Sequence, residues 1–244
     1  MEAVQEKVAI VIPTLNEAEN IPRLITRLRN ALETITLNYE LIVVDDDSQD
    51  GTAEMVRELS AQDPRVRLLV RKGQRGLSGA VIHGWKHTDA TLLGVIDADL
   101  QHPPEILPQL LEAIQRGKDI AIASRYTSNN HASVADWSPV RHFISRCTTA
   151  LTTPLQRKGL RVKDPMSGYF LVRRECIEGL DLQPQGFKIL LEILVKGRMR
   201  NAAEIPYRFG LRQAGSSKAD FKVALDYLSL LGKLSRYAVF RPQQ

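Results

Sequence analysis

Short apolar runs alternate with longer amphipathic stretches through the first half of the chain. Residues 7–13, 39–45, 66–70, 91–97 and 120–124 are brief, apolar and partly β-branched, and each reads as a buried strand. Between them, 17–32 places Ile21, Leu24, Ile25 and Leu28 at helical spacing. Segments 52–60, 77–87 and 104–116 also read as helices, the last with Pro104 near its start, where a missing N–H costs little. This repetition predicts an α/β fold, a mainly parallel sheet with helices on both faces. Ligands of such a sheet bind beyond the carboxyl ends of its strands.

The second half is less regular. A polar loop over 127–139 precedes a helix over 141–157, and a turn over 164–168 leads into a strand over 169–172. An apolar helix over 187–195, a strand over 203–209 and a final helix over 220–240 complete the reading. With no internal repeat and no Pro/Gly-rich linker, one domain with a C-terminal extension is expected.

The chemistry-bearing residues sit where these strands end. The run 91–96 empties into Asp97-Ala98-Asp99, with Gln101 two residues on. If the segment stays strand-like, Asp97 and Asp99 face the same way. Two close carboxylates repel unless a cation lies between them, and hard oxygen ligands suit Mg²⁺ or Mn²⁺ gripped jointly with a diphosphate. An Asp-rich solvated turn is the plainer alternative. Asp45-Asp46-Asp47 and Pro13-Thr14-Leu15-Asn16-Glu17 end two further strands on the same expected rim. Asp46 can accept hydrogen bonds from a base or ribose; alternatively, an acidic or hydroxyl residue here, Asp47 or Ser48 as readily, caps the following helix.

Net charge of +5 invites a polyanionic partner: nucleic acid, an anionic membrane surface or a phosphorylated substrate. Aromatics are only 6% and no nucleic-acid-binding motif is present, so nucleic acid is not expected. Arg125, Arg141, Ser145, Arg212 and Lys218 are candidates for a second phosphate, Arg141 and Ser145 lying four apart on one helix face. The Gly73/Gly76/Gly79 pattern matches neither dinucleotide nor P-loop signatures and reads as a loop before a helix. His83 and His87 lack the Glu of a zinc-protease motif and read as packing or solvated residues. Cys147 and Cys176 form no CxxC pair, no apolar run approaches the roughly 18 residues of a membrane span, and no leader is evident. A reduced, cytosolic setting is expected.

Several blocks together resemble one family. They are Ile12-Pro13-Thr14-Leu15-Asn16-Glu17, Val43-Val44-Asp45-Asp46-Asp47-Ser48, Asp97 through Glu105, Ser124-Arg125-Tyr126 and Asp164-Pro165-Met166-Ser167-Gly168. Gly186-Phe187-Lys188-Ile189-Leu190-Leu191-Glu192 and Gly215-Ser216-Ser217-Lys218 follow in the same order. The chain resembles the dolichol-phosphate (polyprenyl-phosphate) mannosyltransferases of inverting glycosyltransferase family 2, over about residues 7–235. The resemblance implies a GT-A type nucleotide-diphospho-sugar transferase fold and transfer of mannose from GDP-mannose to a polyprenyl phosphate. It implies that Pro13, Leu15, Glu17, Val44, Asp46, Asp97 and Ala98 hold the donor, while Asp97, Asp99 and Gln101 hold Mn²⁺ or Mg²⁺. Arg125, Arg141 and Ser145 would take the acceptor phosphate, and Arg212 and Lys218 donor or acceptor phosphates. UDP-glucose as donor, or a non-catalytic nucleotide-sugar-binding subunit, are the alternatives.

Two departures stand out: Asp47 replaces the family's usual Gly, and Ala219-Asp220 follows Lys218 where Leu-Gly is common. The expected division is a transferase domain at 1–218 and an amphipathic helix at 219–244. That helix carries Phe221, Leu225, Leu228, Leu231, Leu234 and Tyr237, interspersed with Lys222, Lys233, Arg236 and Arg241. It either packs on the protein's own core or lies on the cytoplasmic face of a membrane, alone or with a membrane-anchoring subunit.

Overall fold

A computed structural model of the chain describes residues 6–33, 35, 38–126, 152–156, 160–183 and 188–208, and a final helix over 221–239 whose side chains are described for 229–238. The strands are β1 (Lys7–Thr14), β2 (Asn38–Asp45), β3 (Val66–Val70), β4 (Leu92–Val95), β5 (Ile120–Ser124), β6 (Phe170–Arg173) and β7 (Ala202–Pro206). The α-helices are α1 (Ile21–Glu33), α2 (Thr52–Gln62), α3 (Leu77–Lys86), α4 (Leu107–Gln115), α5 (Ile189–Lys196) and α6 (Phe221–Val239). The strands form one sheet in the order β3-β2-β1-β4-β6-β5-β7.

Strand alternation splits the core into two layers. Val8, Ile10 and Ile12 of β1 and Leu41 and Val43 of β2 pack with Leu24, Leu28, Leu110 and Ile114 of α1 and α4. Ala9 and Val11, with Ile42 and Val44, face the other way onto Val81, Trp85, Leu190 and Ile193 of α3 and α5. A sheet covered on both faces explains why its strands are apolar throughout rather than alternating.

β1 pairs in parallel with β2 and β4, β2 with β3, and β5 with β7. β6 runs antiparallel to both its neighbours, β4 and β5. The expected mainly parallel sheet is present, with this one reversed strand in its middle.

Four local expectations need correction. β4 ends at Val95, and 97–100 is a turn with Leu100 in the left-handed region at φ 60°. Strand alternation therefore does not orient Asp97 and Asp99. Residues 17–20 form a turn closed by Asn20 N and Ile21 N donating to Glu17 O, so α1 starts at Ile21 and not at 17. The segment 104–116 begins with a 3-10 turn, Pro104–Ile106, before α4. Of the helix expected over 141–157, only 152–156 are described, and they hold a 3-10 turn, Thr153–Leu155.

α6 packs on the protein itself: Leu230 and Leu234 are buried in a cluster with Leu155, Leu191 and Val195. These two lie one helical turn apart. Tyr237 is exposed, with the Lys196 ammonium 5.8 Å from its ring centre. Among the described residues no helix is long and apolar enough to cross a membrane.

Candidate active site

The parallel strands bring three polar exits to one rim. Thr14 ends β1, Asp45 ends β2, and Asp97 lies two residues beyond the end of β4. Ser124 ends β5, and the turn over 164–168 enters the reversed strand β6 from the same side. β1 separates β2 from β4, so the Asp46 and Asp97 positions are two strand spacings, roughly 10 Å, apart.

On the β2 side, the loops after β1 and β2 are locked together. Thr14 Oγ1 donates to Asp45 Oδ1 at 3.0 Å, and Ser48 N donates to Asp45 Oδ2 at 2.9 Å. Asn16 N donates to Ser48 Oγ at 2.8 Å, and Glu17 N to Thr52 Oγ1 at 2.9 Å. Asp50 takes Thr52 N at 3.1 Å, so it is Asp50, and neither Asp47 nor Ser48, that satisfies the head of α2. Asp47 adopts φ 60°, the left-handed conformation that favours Gly, which is what the family resemblance leads one to expect here.

Asp46 is buried and doubly anchored. Its Oδ2 accepts Gly76 N at 2.7 Å, and its Oδ1 lies 3.4 Å from Nε of the equally buried Arg71. Burial pushes the carboxyl above its usual range, while the Gly76 hydrogen bond and Arg71 pull the other way. Gly76, at φ 133°, takes a backbone conformation that other residues avoid. The glycine pattern after β3 thus serves Asp46. Pro13, Leu15 and Glu17 line the same exit half-buried. Val44 is fully buried in the core, beneath that exit.

On the β4 side, Asp97 keeps part of its side chain exposed, whereas Ala98 and Asp99 are buried. Asp99 Oδ1 accepts Gln101 N at 3.1 Å, which fixes the turn. A Cβ on Gly168 would lie 2.0 Å from Asp97 Oδ2, so the glycine provides the cradle for that carboxylate. His102 Nδ1 stands 3.9 Å from Asp97 Oδ2. Burial lowers this imidazole's pKa to about 4, leaving it neutral at pH 7.

The turn over 164–168 gathers the cations. Arg125 Nε and a terminal guanidinium nitrogen donate to the two oxygens of fully buried Asp164 at 2.8 and 2.7 Å, and Arg125 N adds a third bond at 3.0 Å. Burial alone would raise the Asp164 pKa, but the Arg125 hydrogen bonds and charge hold it below the usual range. Lys188 Nζ donates to Met166 O at 3.4 Å. Burial and the Arg125 charge lower its pKa to about 8, against the opposing pull of Asp97 and Asp164. Tyr207 lies among the same groups, its phenol pKa raised by burial and by the charges of Asp164, Asp97 and Asp99.

Asp97, Asp99, Gln101 and Arg125 therefore share one corner of the rim, and Asp46 with the exit after β1 forms another. Arg141, Ser145, Arg212 and Lys218 lie outside the described residues. Sequence reasoning missed Asp164, His102, Lys188 and Tyr207. The clue to Asp164 and Lys188 was that both fall in blocks that carry the family resemblance.

Among the described residues no three His, Cys, Asp or Glu side chains are close enough to hold a metal ion alone. Two carboxylates and a nearby amide instead suit a hard divalent ion that completes its shell from substrate phosphate and water. The donor set fits such an ion.

The family model described as glycosyl transferase family 2 matches residues 9–180. The chain is 45% identical over 231 residues to a dolichol-phosphate mannosyltransferase of Pyrococcus furiosus, covering 95% of this chain but 64% of that protein. It is 38% identical to a dolichol-phosphate mannosyltransferase of Mycosarcoma maydis, over 94% of this chain and 79% of that one. Among solved structures, glucosyl-3-phosphoglycerate synthase from Mycobacterium tuberculosis in complex with Mn²⁺ and UDP-glucose is similar in fold. Its TM-score is 0.64 at 17% identity, covering 98% of this chain and 81% of that one.

Proposed function

The chain belongs to glycosyl transferase family 2, with the dolichol-phosphate mannosyltransferases, and from that premise we propose that it transfers mannose from GDP-mannose to a polyprenyl phosphate with inversion. The observation that carries the reading is the pair of carboxylate corners two strands apart on one rim. That spacing matches the reach from a nucleoside, bound at Asp46, to its diphosphate, bound at Asp97.

In this reading Asp46 accepts hydrogen bonds from the nucleoside, with Pro13, Leu15 and Glu17 lining its pocket above buried Val44. Asp97 and Asp99 would hold Mn²⁺ or Mg²⁺, helped by Gln101, with Ala98 packed beneath the donor. When bound, the ion stabilises negative charge on the departing diphosphate. Arg125, Arg141 and Ser145 receive the acceptor phosphate, and Arg212 and Lys218 offset repulsion between the two substrates' phosphates. Arg125 does so from a guanidinium already fixed by Asp164, which orients it at no further entropic cost. A phosphate monoester is already anionic near neutral pH, its second pKa being about 6, so no strong base is required. Neutral His102 is in keeping with that. The chain's task is to hold nucleophile and leaving group in line.

The same reading divides the chain into a transferase domain, 1–218, and a C-terminal helix, 219–244, and places the protein on the cytoplasmic face of a membrane. Exposed Lys233, Arg236 and Tyr237 support this, because Leu230 and Leu234 use only one face of α6 for packing.

The test is incubation with labelled GDP-mannose or UDP-glucose, polyprenyl phosphate and Mn²⁺, followed by lipid extraction, with EDTA as control. Mannose label in the lipid phase, abolished by EDTA, is the expected result. Glucose label would replace the donor, and no lipid label from either sugar would overturn the reading. Salt-sensitive binding to anionic vesicles tests the membrane placement; no binding at low salt would favour a membrane-anchoring subunit.

A further inference from the structure

In the segment leading into the turn over 164–168, Leu160, Val162 and Asp164 are buried, while Arg161 and Lys163 between them are exposed. Leu160 and Val162 belong to the core layer of α3 and α5. Two side chains hold this segment by its backbone. The buried Gln156 amide pairs with Val162, Oε1 accepting Val162 N at 2.8 Å and Nε2 donating to Val162 O at 3.3 Å. Glu204 takes the next two residues: Oε2 accepts Lys163 N at 2.9 Å, and Oε1 accepts Asp164 N at 3.1 Å.

Glu204 lies on β7, opposite Ile122 of β5. By strand alternation it faces the same side of the sheet as Ala202, which packs in that apolar layer. An apolar side chain would cover this face without loss of hydration. The half-buried carboxylate instead recovers its lost hydration in two charge-assisted bonds to consecutive N–H groups. Such a grip fixes the orientation of two successive peptide planes, and with them the direction in which the Asp164 side chain leaves the backbone. Asp164 then receives three bonds from Arg125.

The far end of the turn has its own supports. Ser167 Oγ donates to Tyr169 O and accepts Tyr169 N, both at 3.2 Å, and Gly168 leads directly towards β6. Across the turn the two ends share one long bond, Ser167 N to Asp164 O at 3.4 Å. Glu204 therefore bears on the Arg125 end, and Ser167 on the Gly168 cradle of Asp97.

We propose that Glu204 is a positioning residue for the acceptor. By clamping the backbone of Lys163 and Asp164 it sets Asp164, and through it the Arg125 guanidinium, where the acceptor phosphate arrives. It touches neither substrate. This rests on the proposed acceptor role of Arg125 and deepens it by naming what fixes the geometry of that role.

The experiment measures the acceptor KM, and the affinity for GDP with Mn²⁺, in wild type, Glu204→Gln, Arg125→Lys and the double variant. Glu204→Gln keeps the side chain's shape but replaces one accepting oxygen with an NH₂ that opposes an N–H. Its acceptor KM should rise about tenfold or more through misplacement of the guanidinium. Its GDP affinity should stay within about twofold of wild type, the scatter of an uncoupled site. Glu204→Asp is too short to reach both N–H groups and should shift the acceptor KM in the same sense; it stands in should the Gln variant fail to fold. With Arg125→Lys the guanidinium fork is already lost, so Glu204→Gln should then raise the acceptor KM by no more than about threefold.

An unchanged acceptor KM, an equal loss for both substrates, or the same factor in both backgrounds overturns the proposal while leaving the acceptor reading intact. Failure of both Glu204 variants to fold does the same, since Glu204 then supports the fold as a whole. A wild type that passes no sugar to polyprenyl phosphate overturns the acceptor reading and the proposal together.

Discussion

The Asp97 carboxylate occupies the space where a side chain at Gly168 would begin, its Oδ2 standing 2.0 Å from the position of that Cβ. Gly168→Ala should therefore displace Asp97 without touching any substrate itself. We expect turnover to fall at least about a hundredfold, since misplacement on the order of 1 Å can cost that much. Mn²⁺ affinity should fall with it. Wild-type turnover in Gly168→Ala would show that Asp97 has no fixed role.

Asp164 and Arg125 form a buried pair, so loss of one partner strands the other. Asp164→Asn should destabilise the fold by about 3–5 kcal/mol, measured by urea unfolding at pH 7. The pH dependence has a definite sign. The folded Asp164 pKa lies below its unfolded value, so the stabilisation is present above the unfolded value, about 3.9, and is lost as pH falls through the folded one. Asp164→Asn should show a flatter acid limb below about pH 4 than wild type.

Asp47 holds φ 60° in a turn, a conformation that favours Gly. Asp47→Gly removes a left-handed penalty of roughly 1 kcal/mol but loosens the unfolded chain by about as much. We expect stability to change by less than about 1 kcal/mol in either direction. Donor affinity should rise, because a negative charge beside the nucleoside pocket is gone; a salt series on donor binding checks this, with the difference fading as salt rises.

Arg71 reaches the rim through Asp46, 3.4 Å from its Nε, and through the Gly76 carbonyl, 3.4 Å from a terminal guanidinium nitrogen. Arg71→Met should raise the donor KM about tenfold or more while leaving the acceptor KM near wild type, and Arg71→Lys should recover part of the loss. Equal effects on both substrates would mean that Arg71 supports the fold generally.

Most of the sheet was legible because burial on both faces leaves a strong mark: runs such as Val8–Ile12 have no polar position. The rim carboxylates were legible for the same reason, since Asp45 and Asp97 interrupt apolar runs. The place of β6 was not, because three apolar residues and an arginine do not specify their neighbours or direction. Lys188 was hidden by its type, a lysine before a helix being ordinarily solvated, and Arg125–Asp164 by a separation that only the folded turn closes. In α6 the apolar stripe was visible, and among the described side chains two of its members, buried Leu234 and half-buried Leu231, pack on α5, joined by the neighbouring Leu230.

The reversed strand β6 has a consequence for how the protein assembles. Among the described residues it is the only strand that joins the β3-β2-β1-β4 block to the β5-β7 pair, through Val95↔Phe170 on one side and Ile122↔Phe170 on the other. A nascent chain released as far as Asp99 already holds every strand of the first block, yet the second cannot join until residues 170–173 arrive. Those pairings span long stretches of chain, whose closure is costly in entropy and slow. The Asp46 corner can thus form early, whereas the Gly168 cradle arrives with the bridge itself, so on the proposed reading the nucleoside end of the site is built before the diphosphate end.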